Sequence, residues 1–234
     1  MLLGRRHRAG AVLLFAAFRQ WAIGRVWQSA CIDDAVASHP ATAYPRAHTA
    51  LLLIDVINPF NFPGGPLFAR RWLPAARRIA RLRARFHRRR WPVVYVNDNF
   101  GQWRSDFRAM VKMCGAADMP GAPIVDLLVP GQADFFVLKP TLSGFHETPL
   151  HMLLKSGQTH TVVLAGFAAD ICVFFTAADA HMRGYRVIVP ADCVASEADA
   201  ERRRVLKSMR RLFEADTSAS TRLKLPRRSR ERLR

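Results

Sequence analysis

Lysine is nearly missing from this chain. Of 36 basic lysine and arginine residues only five, at positions 112, 139, 155, 207 and 224, are lysine. A bias of that kind reflects nucleotide composition as readily as any need for arginine. Cysteine is scarce too, and its four copies (31, 114, 172 and 193) show neither C-x-x-C spacing nor a regular framework. That pattern excludes a disulfide-stapled scaffold and a structural zinc site. With 234 residues the chain builds a core without such staples, and a reducing cytoplasm is the expected compartment. No histidine lies between His87 and His146, no internal repeat is present, and no apolar run is long enough to span a bilayer, so no transmembrane segment is expected. Acidic residues number 18 against the 36 basic ones, a formal net charge of +18.

That charge concentrates at the two ends and between Arg70 and Arg90. A basic surface attracts nucleic acid, acidic ligands or anionic membrane. No aromatic-interleaved platform or nucleic-acid motif accompanies it. The expectation is a solvated arginine-rich helix face and a basic tail, with no specific nucleic-acid partner. At the start, MLLGRRHR followed by GAVLLFAAF has the form of a basic n-region and a short apolar h-region. Arg19 and Arg25 follow closely, however, and the Ala35-Val36-Ala37 site lies far downstream. Residues 1–46 are therefore expected to be a basic extension, amphipathic or partly disordered, 47–218 the folded domain, and 219–234 a basic tail.

What fills the middle is alternation. Near-continuous apolar runs at 49–57, 91–98, 133–140, 159–167 and 185–193 read as strands buried on both faces. Helical patterns at 67–90, 105–115, 148–156, 170–183 and 197–213 separate them, with Gly184 as a C-cap residue and a short last strand near 214–217. The segment 119–130 reads as a Pro/Gly-rich loop. Strands alternating with helices imply right-handed βαβ units, hence an α/β fold: a three-layer α/β/α domain around a mostly parallel sheet of about six strands. Ligands in such folds bind beyond the carboxyl ends of the strands.

Those ends carry chemistry. The first strand ends at Asp55, the third at Lys139, and the fourth leads into Cys172 at a strand-to-helix elbow, where backbone N–H groups and the helix dipole stabilise a thiolate. Each residue alone has an ordinary explanation: a cap, a surface charge, a small buried hydrophobe. Together they place an acid, a base and a nucleophile on one sheet edge.

The stretches LLLIDVINPF, VVYVNDNFGQW, VLKPTLSGF and GFAADICVFFTAADAHMRGYRVIVPADCVAS resemble the isochorismatase-like cysteine hydrolases, a family that includes nicotinamidases and carbamoylsarcosine amidases. The Asp, the Lys-x-x-x-Ser-x-Phe and the Gly-x-x-x-x-x-Cys-Val elbow carry the likeness, from about residue 48 to 217. The resemblance implies an Asp55–Lys139–Cys172 triad that cleaves a C–N amide-type bond of a small molecule through a thioester. It implies an oxyanion hole from the backbone N–H groups of Ala168 and Cys172, with a cis peptide between Phe167 and Ala168, and assembly as a dimer or tetramer. Phe60, Trp103 and Phe145 fall in loops expected to face the substrate. Four departures matter. Where nicotinamidases have an Asp-x-His metal pair this chain reads Asp98-Asn99-Phe100, so no metal or other cofactor is expected. Pro59 and Ala169 stand where relatives commonly carry Asp and Thr, which favours, as an alternative, a catalytically silent binding or regulatory protein; the arginine surface favours another, a basic protein associated with nucleic acid. Isochorismatase itself lacks the cysteine, so its vinyl-ether chemistry is not implied.

Overall fold

The computed structural model describes residues 43–224. Within them a strand β1 (Thr49–Ile54) is followed by a long helix α1 (Gly65–Arg88), β2 (Val93–Asp98), α2 (Phe107–Cys114) and α3 (Ala122–Leu127). Then come β3 (Phe135–Lys139), α4 (Leu150–Ser156), β4 (Thr161–Phe167), α5 (Cys172–Met182), β5 (Arg186–Ile188), β6 (Val194–Ala195) and α6 (Asp199–Phe213). The strands lie in the order β3-β2-β1-β4-β5, β6 also pairs with β4, and every pairing is parallel. This is the expected three-layer α/β/α arrangement.

β1 is buried along its whole length because helices cover both faces. Alternate side chains divide two cores. Leu51, Leu53, Tyr95 and Val163 pack with Trp72, Ile79, Leu82 and Phe86 of α1 and with α2 and α3. Leu52, Ile54, Val94 and Leu164 pack with α4, α5 and α6 on the other side. The apolar residues of α1 recur at helical spacing, so its arginines fall on the opposite, solvent-facing side, where Arg70, Arg77, Arg81 and Arg88 are exposed.

Four local expectations change. The run 185–193 is not one strand: Pro190 opens a turn closed by the Cys193 N–H, and the chain resumes as β6 against β4. Residues 214–217 contribute only a single parallel bridge, Ile188 to Asp216. The segment 119–130 holds the short helix α3, with Pro123 in its first turn, where a missing N–H costs nothing. Residues 219–224, placed in the tail by their sequence, pack on the domain: Leu223 joins the core and Asp192 accepts from the Ser220 N–H at 2.6 Å. The readings made for residues 1–42 and 225–234 lie outside the described residues. Among the described residues no helix is long and apolar enough to cross a membrane.

The register brings the strand ends level, with Ile54 opposite Val96 and Gly166, and Asp98 opposite Lys139. Gly166 makes that alignment possible. Its φ is +130°, and a Cβ built there would sit 2.0 Å from the Ile54 carbonyl oxygen. Gly166→Ala is therefore expected to lower unfolding free energy by at least about 2 kcal/mol, from strain plus the clash. Urea denaturation checks this, and an unchanged midpoint would refute the close approach.

Candidate active site

Asp55 follows β1 with φ 50°, a left-handed conformation that short polar side chains tolerate better than most. Its own N–H donates to Val96 O at 3.0 Å. Asn97, buried, grips the next turn by accepting from the Ile57 N–H (3.0 Å) and donating to Ile57 O (2.8 Å). The loop beyond is braced as well: Asn58 Oδ1 accepts from the Phe60 N–H, and Pro59 O accepts from the Gly121 N–H. Pro59 therefore leaves the backbone hydrogen bond at Asp55 in place. Ala169 is fully buried, and its N–H donates to Ala195 O at 2.8 Å.

The structure brings Asp55, Lys139 and Cys172 together. Lys139, with no exposure at all, places Nζ 2.9 Å from Asp55 Oδ2, 3.0 Å from Thr141 O and 3.6 Å from Cys172 Sγ. Asp55 accepts on its other oxygen from the Asp98 N–H at 2.7 Å, and its charge acts on the Cys172 thiol. Cys172 opens α5 with no side-chain cap at the helix start. The peptide between Phe167 and Ala168 is cis, as the resemblance implies. The elbow then winds around Ala168, whose carbonyl accepts from the N–H groups of both Ile171 and Val173 at 3.2 Å. Among the described residues no group accepts from the N–H of Ala168 or of Cys172.

Electrostatics correct one expectation. Burial, and after it the Asp55 charge, push the Cys172 thiol up to about 12, against the opposing pull of Lys139. These surroundings favour the neutral thiol, opposing the pull of the helix start toward a thiolate. Burial also raises Asp55 above the usual carboxylate range, opposed chiefly by Lys139. Burial alone would depress the Lys139 ammonium, but the charge and hydrogen bond of Asp55, with the charge of Asp98, raise it above its ordinary value. A carboxylate raised in this way is a stronger base than a free one. Cys114 and Cys193 are both buried, and burial pushes them up to about 11 and about 12.

The aromatic expectations fare differently. Phe60 is 0% exposed and packs edge-on to Trp72, so its ring belongs to the core. Phe145 is 3% exposed, stacked on Tyr185 under Arg183. Neither ring is open to a ligand, because apolar area in these loops is drawn inward by burial. Trp103, 78% exposed, borders a hollow of about 620 Å³ that no triad residue lines. Asn99 and Phe100 offer no imidazole beside Asp98, so the residues present do not fit a nicotinamidase-type metal. Among the described residues no group of three His, Cys, Asp or Glu side chains could hold one.

Two contributors escape a reading of the sequence. Thr176, fully buried, donates to Cys172 O at 2.7 Å and accepts from the Gly144 N–H at 3.0 Å. One turn further along α5, Asp179 accepts from Ser143 Oγ at 2.5 Å. The loop that follows Lys139 is thereby clasped to the helix that carries Cys172. The helical spacing of 172, 176 and 179 was the available signal, but it does not say what lies opposite. Asp98 is the second, its Oδ2 3.8 Å from Lys139 Nζ.

A family model described as an isochorismatase domain matches residues 49–221. The chain belongs to the isochorismatase family. It is 35% identical over 171 residues to YaaI of Bacillus subtilis, an uncharacterised isochorismatase family protein, covering 73% of this chain and 93% of that one. It is 31% identical over 153 residues to the maleamate amidohydrolase of Pseudomonas putida, covering 62% of this chain and 71% of that enzyme. Among solved structures, the N-carbamoylsarcosine amidase of Thermoplasma acidophilum superposes with a TM-score of 0.58 at 29% identity, over 76% of this chain and all (100%) of that one.

Three outcomes are expected. Alkylation of Cys172 by iodoacetamide keeps accelerating above the ordinary thiol range near pH ~8.5. Asp55→Asn removes an anion that raises the thiol and leaves the Lys139 charge that lowers it, so the midpoint falls by at least about one pH unit. A wild-type midpoint in the ordinary range would refute the buried, Asp55-coupled thiol. Thr176→Val orphans the buried Gly144 N–H and should cost about 1–3 kcal/mol in urea denaturation, with Thr176→Ser recovering most of it.

Proposed function

We propose that this chain is an amidohydrolase: a metal-independent cysteine hydrolase of a C–N bond in a small amide, working through a thioester. The observation that carries the reading is a buried ammonium within reach of both a carboxylate and a thiol, at 2.9 and 3.6 Å. The names of its relatives, a maleamate amidohydrolase and a carbamoylsarcosine amidase, support the reaction class.

In this reading Asp55 takes the Cys172 proton as Sγ bonds to the amide carbon. The carbonyl π electrons move onto oxygen, and that oxyanion is received by the Ala168 and Cys172 N–H groups, which have no other acceptor among the described residues. Asp55 then returns the proton to the leaving nitrogen, the C–N bond breaks, and an acyl thioester remains on Cys172. Water, deprotonated by Asp55, adds to the thioester carbon. Collapse releases the carboxylic acid, and the proton returns to sulfur. Lys139 stays protonated throughout. It lies against Asp55 in the resting state and against sulfur as negative charge arrives there.

The test uses intact-mass spectrometry and ammonia release with a panel of small amides that includes maleamate and N-carbamoylsarcosine. An acyl adduct on Cys172 is expected during turnover. Cys172→Ala should remove the adduct and lower kcat by at least about a thousandfold. Turnover that survives the substitution would sink the proposal, and a folded wild-type protein that turns over no amide would favour the silent binding protein.

A further inference from the structure

Asp98 closes β2 on the edge where the triad meets. Its N–H is committed to Asp55 (2.7 Å) and its Oδ1 to the Phe100 N–H (2.6 Å). Among the described residues Oδ2 makes no hydrogen bond: Lys139 Nζ is 3.8 Å away, beyond hydrogen-bond range. The side chain is 36% exposed, against 10% for Asp55 and 0% for Lys139. Asp98 is thus the more solvent-exposed carboxylate beside an ammonium that also lies 3.6 Å from the Sγ of Cys172.

Asp55 already opposes the one positive charge of Lys139. Asp98 adds a second negative charge, and among the described residues Lys139 is its sole ion-pair partner within 4.0 Å. A carboxylate oxygen with open lone pairs accepts hydrogen bonds and cannot donate them. Beside a partly buried site its repulsion of another anion is stronger than in bulk water.

We propose that Asp98 determines specificity, accepting an N–H or cationic group of the substrate and disfavouring amides that carry a carboxylate near the reacting carbonyl. The inference rests on the amidohydrolase reading for its substrate class: a neutral or cationic small amide. It sets this chain apart from a relative named for maleamate, an anion. It also runs against the +18 charge of the whole chain, which by itself would draw anions in.

Two alkylating reagents that differ in charge test the site without requiring turnover. Cys172 of the full-length protein is reacted with neutral iodoacetamide and anionic iodoacetate at low ionic strength, and modification is read at that residue by peptide mass mapping. Relative to a small free thiol, the preference for iodoacetamide is expected to be about tenfold or more, and Asp98→Asn should collapse it to within about threefold. Equal reactivity, a preference for iodoacetate, or a preference unchanged in Asp98→Asn would each overturn the inference. With substrates, the nearly isosteric pair maleamide and maleamate should show kcat/KM favouring the neutral diamide by a similar factor. A preference for maleamate overturns it equally. Charge selectivity at Cys172 with no turnover of any amide would instead support the role of Asp98 and count against the hydrolase reading alone.

Discussion

The fold is arranged around a fully buried ammonium. Taking Lys139 out of water costs several kcal/mol unless its charge and its donors are met. They are met by Asp55 Oδ2, Thr141 O and, at longer range, Cys172 Sγ and Asp98. Those four partners come from the end of β1, the loop after β3, the start of α5 and the end of β2. Removing any one strand end would leave a buried charge partly uncompensated, so the ion pair and the sheet register support each other. This is why Gly166, which touches no catalytic group, belongs to the site: it lets β4 approach β1 closely enough for the elbow to meet the carboxylate.

Much of this was legible in the chain. Five apolar runs spaced by helical patterns specify a parallel α/β sheet, and in such a sheet the residues at the carboxyl ends must converge. Asp55, Lys139 and Cys172 could thus be nominated before any coordinate. The cis peptide at Phe167–Ala168 was a different kind of foresight, since it came from the family resemblance. What was illegible depended on the third dimension. Phe60 and Phe145 sit in loops by pattern, but a loop can fold its aromatic rings under a helix, as Phe60 does against Trp72. Pro190 divides a run that reads as one strand, and Asp98 looked like any strand-end acid until its distance from Lys139 was known.

The thiol shows where local rules mislead. A helix start lowers the energy of an anion by a modest amount. Burial and the Asp55 charge act in the opposite direction and raise the thiol. The helix start contributes where negative charge appears later, at the N–H of Cys172.

A thiol raised by its surroundings also suits the proposed role of Asp55 as a base held by a lysine. In a cysteine–histidine pair, proton transfer creates an ion pair from two neutral groups. Here the ion pair already exists between Asp55 and Lys139, and moving the proton from sulfur to Asp55 only relocates the negative charge. Lys139 Nζ is near both positions, 2.9 Å from the carboxylate and 3.6 Å from sulfur, so the attraction lost at one is recovered at the other. Little reorganisation of solvent or protein is then needed as charge moves, which is the condition under which a buried polar site lowers a barrier rather than merely tolerating charge. Replacing Lys139 with arginine would keep the charge but spread it over a rigid fork. In a pocket with no exposure, that fork cannot sit at one point between carboxylate and sulfur. A chain whose basic residues are otherwise nearly all arginine keeps lysine where a compact charge is required.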